Sequence, residues 1–537
     1  MDCGWRPLRA VKGLTLLALV LSALLAARPL DVRIAEVEIH QKGPDAIDSG
    51  GSTPLNGAFL LSSAHARSLL EDARSHLFAY RLDRADSILY VLAEHEEGGP
   101  AAWFHLTMTA LHRALMSDED EYFQSFYARR DTLARLLDRQ PRSLWADYMR
   151  AETGLWEAVV HAKRGRYVRS AMAARSSFGR FSRIVADEPA FFEAYKGLGL
   201  LHLSIGSLPG SFRFLLKVLG YQGGIAQGLN ELEQAYTRSR YNSFEAGIFL
   251  AFAKVTLYIS GQEGLHIVED IYQRDTSSTL AAHLYGFLLL SDQQAERAAE
   301  VLSAAVARSE TPAYFYDEYI DFYLAEAHFR NDRFDDAELY YRRYIDRHSG
   351  PALKAQANLG LGRALEMQGR RSEALGFYDR VRAQREFDTD AASKRAAERL
   401  RQRPIAGIDR ELLLAANAYD SRRWERAEEL LTEILTNGAS SDDEKAEAAY
   451  RLGRLEEGRG RYAEAIAAYG QAISLQSDRR ARWAPWSWFY IGRIWLSQGL
   501  DDQARQAFDH ARAYGGGFDY HQALEQSIRA ALETSGG

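Results

Sequence analysis

Residues 359–381 read LGLGRALEMQGRRSEALGFYDRV. Gly362 is followed twelve positions later by Ala374, and Tyr378 stands four residues beyond that alanine. Two antiparallel helices joined by a short turn approach closely only where side chains are small, and a ring one turn further on fills the space beside the contact. The turn formers QGRR, 368–371, lie between the two halves, so the stretch reads as a helical hairpin.

The same spacing recurs in YRLGRLEEGRGRYAEAIAAYGQAI, 450–473, with Gly453, Ala465 and Tyr469, and in YIGRIWLSQGLDDQARQAFDHA, 490–511, with Gly492, Ala504 and Phe508. Ala325, Ala337 and Tyr341 make a further copy. The pairs Ala73 with Ala85, Gly286 with Ala298, and Ala415 with Ala427 keep the spacing without the ring. Each hairpin leaves an apolar face that only the next can cover, so the pattern calls for a stack. Pro100, Pro141, Pro189, Pro312 and Pro351 fall where new helices would begin, a place that tolerates a missing backbone donor.

This pattern resembles the tetratricopeptide repeat. The resemblance implies an all-α, right-handed superhelical solenoid of helical hairpins. Successive small positions at 286, 325, 362, 415, 453 and 492 are 39, 37, 53, 38 and 39 residues apart. These exceed the roughly 34 of the usual repeat, which implies longer inter-repeat turns. The step of 53 leaves room for an extra helix around Ala391 to Arg401. Residues 144–302 also resemble a narrower family of eukaryotic tetratricopeptide proteins that includes a fungal inclusion-body clearance factor. That likeness rests on the long helices from Leu144 onward, on LGLLHLSIGSLPGSF and LLKVLGYQGG, and on GLNELEQAY.

Four regions follow. Residues 1–27 hold Arg6, Arg9 and Lys12 ahead of an apolar run from Gly13 to Ala27, the profile of a signal peptide. Fifteen such residues fall short of the ~20 that span a bilayer. The expectation is export to a bacterial periplasm. A second reading keeps the segment uncleaved as an inner-membrane tether, because Leu24 or Leu25 occupies a site where cleavage wants a small residue. Residues 28–59 read as a linker with one short strand-like stretch, VRIAEVEIH. Residues 60–310 form an irregular helical half interrupted at 207–222, and 311–535 form the regular array.

The chain carries 66 basic and 73 acidic residues, a net charge of -7, which excludes the basic excess that nucleic-acid binding needs. Its one cysteine, Cys3, precedes the apolar run, so disulfides and thiolate sites are excluded from the mature chain. No zinc-protease, phosphate-loop or serine-hydrolase motif occurs, and SDEDE, 117–121, lacks the glycine and spacing of a calcium loop. His105 and His112 have no third ligand at metal spacing. The reading is a non-enzyme with neither metal nor cofactor.

A concave groove is the expected working surface. In the repeat's register, the residue after the small position tends to face it: Arg363, Arg454 and Arg493, with Glu326 and Ala416 elsewhere, and Tyr319, Phe322, Tyr450, Trp486 and Phe489 as neighbours. Arginine beside rings suits a protein or peptide partner with acidic groups. The competing reading is intrahelical pairing of Arg363 with Glu366 and of Arg454 with Glu457, worth about 0.2–0.5 kcal/mol each. The insert, with Phe212, Arg213, Phe214 and Lys217, reads either as a wedge in the solenoid core or as a membrane or lipid contact.

Overall fold

The computed structural model describes residues 58–206, 223–257, 261–382 and 388–534. The expected signal segment, nearly all of the linker and the insert at 207–222 lie outside the described residues.

Helices form here because Ala, Leu, Arg and Glu dominate the periodic stretches, and their ends are marked by caps. Ser143 accepts from the Ala146 amide, and Ser441 forms a reciprocal capping box with Glu444. A turn between α1 (Ala64–Phe78) and α2 (Leu82–Glu94) makes the first hairpin. There follow α3 (Gly99–Ser117) with α4 (Asp120–Asp138), α5 (Leu144–Lys163) with α6 (Tyr167–Asp187), and α7 (Glu193–Gly206) with α8 (Ile225–Arg238). Next come α9 (Ser243–Thr256) with α10 (Gly261–Arg274), α11 (Thr279–Ser291) with α12 (Ala295–Ser309), and α13 (Tyr319–Arg330) with α14 (Phe334–Arg347). The last group is α15 (Lys354–Met367) with α16 (Arg371–Tyr378), a lone α17 (Asp388–Gln402), α18 (Ile408–Asp420) with α19 (Trp424–Thr436), α20 (Asp442–Gly458) with α21 (Tyr462–Leu475), α22 (Trp483–Ser497) with α23 (Asp501–Ala513), and α24 (His521–Thr534). Among the described residues there are no strands, and the architecture is an all-α solenoid.

The small-residue spacing has the meaning expected of it. A Cβ added at Gly362, Gly453 or Gly492 would lie 2.4 Å, 2.5 Å or 2.6 Å from the ring of Tyr378, Tyr469 or Phe508 respectively. Those glycines are therefore the floor on which the rings sit. At the hairpin turn of α20 and α21, Gly460 takes a φ of 73°, where a side chain would be strained.

Two long-range contacts decide the shape. The first hairpin returns onto the fifth and sixth: Phe78 and Phe244 rings lie 4.5 Å apart, Ser278 Oγ donates to the Phe78 carbonyl at 2.6 Å, and the Phe315 amide donates to the Tyr80 carbonyl at 2.7 Å. The inside of this turn is consequently filled. Helices α3 and α11, which line it, are buried on almost every side. Phe59, in a 3-10 turn at Ala58–Leu60, plugs it further against Trp145, His105 and Tyr241. At the other end α24 comes back to α8, where Glu533 Oε2 accepts from the Ile225 amide at 2.8 Å.

Charge is buried in that filled turn. Lys196 of α7 is 1% exposed and stands 2.6 Å from both Glu152 of α5 and Glu245 of α9. Burial works against its charge, but the two carboxylates outweigh it and hold the ammonium above its usual range. No helix among the described residues is long and apolar enough to cross a membrane.

Candidate binding groove

The open concave space belongs to the second half of the solenoid. A cavity of about 530 Å³ lies between α13, α15, α17, α18 and α20 and is closed at one end by the loop before α22. Its existence depends on α17, the extra helix for which the long sequence step leaves room. That helix packs beside α15 and is tied to the chain before α24 by Arg395 Nε, 2.6 Å from Asp519 Oδ1. Where other hairpins stack directly on one another, α17 intervenes here and leaves the groove open.

Arg363 lines this groove from α15, directly after the glycine that carries the Tyr378 ring. The expected pairing with Glu366 is absent. Glu366 is occupied by Arg371 Nη1 at 2.6 Å, Tyr378 Oη at 2.6 Å and the Ile405 amide at 3.0 Å. Among the described residues Arg363 has no ion-pair partner, and neither do Arg399 of α17 and Arg480, which line the same space. Arg403 pairs with Asp409 at 3.0 Å and Glu444 at 2.9 Å, and Arg451 with Glu447 at 2.7 Å, while the lining carboxylate of Asp443 accepts from Ser477 and the Asp478 amide. Burial raises the Asp409 carboxyl, with Glu444 and Glu447 adding to it against the pull of Arg403.

The other sequence candidates sit elsewhere. Arg454 is 2% exposed, lies against Tyr490 and points Nε at Glu457 Oε2, 3.4 Å away. Arg493 reaches the same glutamate, Nη1 to Oε1 at 3.7 Å. These two arginines serve a buried charge cluster between α20 and α22 and do not form a ladder with Arg363.

Tyr319, Phe322, Tyr450, Trp486 and Phe489 are at most 3% exposed; Phe322 forms part of the cavity lining, whereas the expected groove wall at Tyr319, Tyr450, Trp486 and Phe489 is corrected to core. Tyr319 packs on Tyr344 and His348, Phe322 on Tyr341 and Tyr344, Tyr450 on Trp483 and Tyr490, and Trp486 on Phe489. The physical reason is stacking: a position facing inward from one hairpin is covered when the next hairpin follows immediately. The contact candidates Phe212, Arg213, Phe214 and Lys217 lie outside the described residues. Arg399 and Arg480 were not legible in the sequence, because α17 lacks the small-residue spacing and Arg480 sits in a loop.

His105 is not a ligand in waiting. Its Nδ1–H donates to the Ala101 carbonyl at 2.9 Å and Nε2 accepts from Arg74 at 3.0 Å, which makes it a neutral core imidazole. Among the described residues no group of three histidine, cysteine or acidic side chains is placed to hold a metal ion.

Comparison with known proteins adds the following. The family model described as tetratricopeptide repeat matches residues 286–350, 322–391 and 412–481. No curated protein matches the chain. Among solved structures, yeast Tom70 aligns at 12% identity over 84% of this chain and 96% of its own, with a TM-score of 0.31. The apo form of the quorum sensor NprR from B. thuringiensis aligns at 12% identity over 76% and 98%, with a TM-score of 0.28. The Cut9–Hcn1 hetero-tetramer of the APC/C gives 13% identity over 87% and 96%, with a TM-score of 0.24.

Proposed function

Because this chain is a tetratricopeptide-repeat protein, we propose that it works as a non-catalytic scaffold, exported to a bacterial envelope, that holds an acidic peptide segment of a partner protein in the groove beside α17. One observation carries the reading. Arg363 and Arg399 line an open cavity from two different helices with no ion pair among the described residues, while Arg403 and Arg451 of the same lining are matched. Unmatched guanidinium groups in a recess recruit carboxylates through bidentate hydrogen bonds.

The test is fluorescence anisotropy of the full chain with a labelled glutamate-rich peptide and a lysine-rich peptide of equal length. The acidic peptide should bind with salt-dependent affinity, and Arg363→Ala with Arg399→Ala should weaken it about tenfold or more. Equal binding by wild type and the double variant, or preference for the lysine peptide, would overturn the assignment. Fractionation of cells that express the chain with and without residues 1–27 tests the envelope placement; a cytosolic pool in both cases would remove it.

A further inference from the structure

The groove leaves one strongly charged surface unexplained, the outer face of α6. From Ala158 to Ala186 the chain contains no acidic residue and seven lysines and arginines, in a protein whose net charge is -7. Four of those cations lie in α6 itself. The helix is amphipathic: Ser170, Ser177, Phe181 and Ile184 turn inward and are buried. By helical period, Val168, Arg169, Met172, Arg175, Gly179 and Arg183 share the opposite stripe. That stripe is roughly 20 Å long at 1.5 Å per residue.

Its apolar members are unusual. Val168 is 63% exposed and Met172 68%, the two most exposed large apolar side chains among the described residues. Part of the surrounding charge is matched, since Lys163 pairs with Asp118 at 2.8 Å. Arg180 approaches Asp147 at 3.9 Å, and Arg164, just before the helix, pairs with Asp120. Arg166, Arg169 and Arg183 have no acidic partner among the described residues. A cationic stretch of this length without intervening carboxylates is costly to keep unless something anionic covers it.

We infer that the outer face of α6 docks the protein onto an anionic membrane surface. The composition of the stripe favours lipid over an acidic protein. The stripe lies exposed along the second helix of its hairpin. It carries no aromatic anchor of the kind that dominates protein interfaces. Aliphatic side chains flanked by arginines are what a headgroup layer accepts: guanidinium groups meet phosphate while Val168 and Met172 enter the acyl boundary. The face lies on different helices from the groove, so this inference stands apart from the peptide-binding proposal. The insert at 207–222 forms no part of the surface assigned.

The test is flotation of the full chain with vesicles of phosphatidylcholine alone and of phosphatidylcholine mixed with phosphatidylglycerol. Neutral vesicles report whatever the apolar N-terminal segment contributes, and the difference between the two reports the cationic face. Wild type should bind the anionic vesicles preferentially, with an affinity that falls as salt rises. Arg169→Glu with Arg183→Glu should remove that preference, a loss of about tenfold or more. Val168→Ser with Met172→Ser should weaken binding several-fold at unchanged salt dependence. All four positions are exposed, so circular dichroism melts should match wild type. Undiminished anionic preference in the charge-reversed variant would overturn the inference, whether Phe212→Ser with Phe214→Ser then abolished binding or not. So would a wild-type chain that ignores anionic vesicles yet binds polyglutamate through Arg169 and Arg183, which would assign the face to an acidic protein.

Discussion

Arg454 lies across Tyr490, its guanidinium carbon 3.9 Å from the ring centroid, and both side chains are closed off from solvent. Glu457, one turn along α20, is the counter-charge, and it also accepts from Tyr469 Oη at 2.6 Å. An arginine that reads as a ligand contact is thus a member of the core. Removing it leaves a buried carboxylate short of a partner, so Arg454→Ala should cost about 3–5 kcal/mol of stability. Arg363→Ala, in the open groove, should stay within about 0.5 kcal/mol of wild type. Urea unfolding of the two variants separates them, and equal losses would contradict the assignment of groove and core.

The glycine floor gives a paired prediction in one hairpin. A methyl at Gly453 would press into Tyr469, whereas nothing lies within 4 Å of the corresponding position at Gly470. Gly453→Ala should destabilise by about 1–3 kcal/mol through overpacking. Gly470→Ala, in the middle of α21, should gain up to about 1 kcal/mol from helix propensity. Opposite signs in thermal melts are the expected result.

Lys196 with Glu152 and Glu245 is a buried charge cluster of the first solenoid turn. Lys196→Met strands two carboxylates in the interior and should lower stability by about 3–5 kcal/mol. Adding Glu152→Gln and Glu245→Gln removes the stranded charge and should recover much of that loss. A triple variant no better than the single one would show that the cluster is held by packing and not by its charge balance.

Acid should find His105. Burial, joined by Arg74, pushes its imidazole down to about 3. The folded value is depressed below the ~6.5 of an unfolded chain, so the unfolded state takes up the proton first. Stability is therefore full above pH 6.5 and is lost as pH falls toward 3. Between pH 7 and pH 5 this group should account for about 2 kcal/mol. His105→Gln cannot titrate, and the gap between wild type and variant should narrow by that amount on going to pH 5. A gap that stays constant across chemical denaturation curves would mean that the imidazole protonates in the folded chain.

Local rules made the hairpins legible. Gly362 with Tyr378, Gly453 with Tyr469 and Gly492 with Phe508 lie sixteen residues apart, a distance set by helix pitch and one short turn, and each pair meets in the structure as the spacing requires. The extra helix was legible as well, because a solenoid step of 53 cannot be filled by a turn alone. The groove side chains were not. Whether an inward position such as Tyr450 or Arg454 is buried depends on how closely the next hairpin stacks, and spacing along one chain does not carry that information. Arg363 and Arg454 occupy the same register and sit in opposite environments because α17 stands beside the first and α22 covers the second. The sequence by itself determined an all-α stack of hairpins. Tertiary structure alone decided which concave face is filled and which is open, since that follows from the return of α1 onto α9 and α11, contacts made across some two hundred residues that no local pattern records.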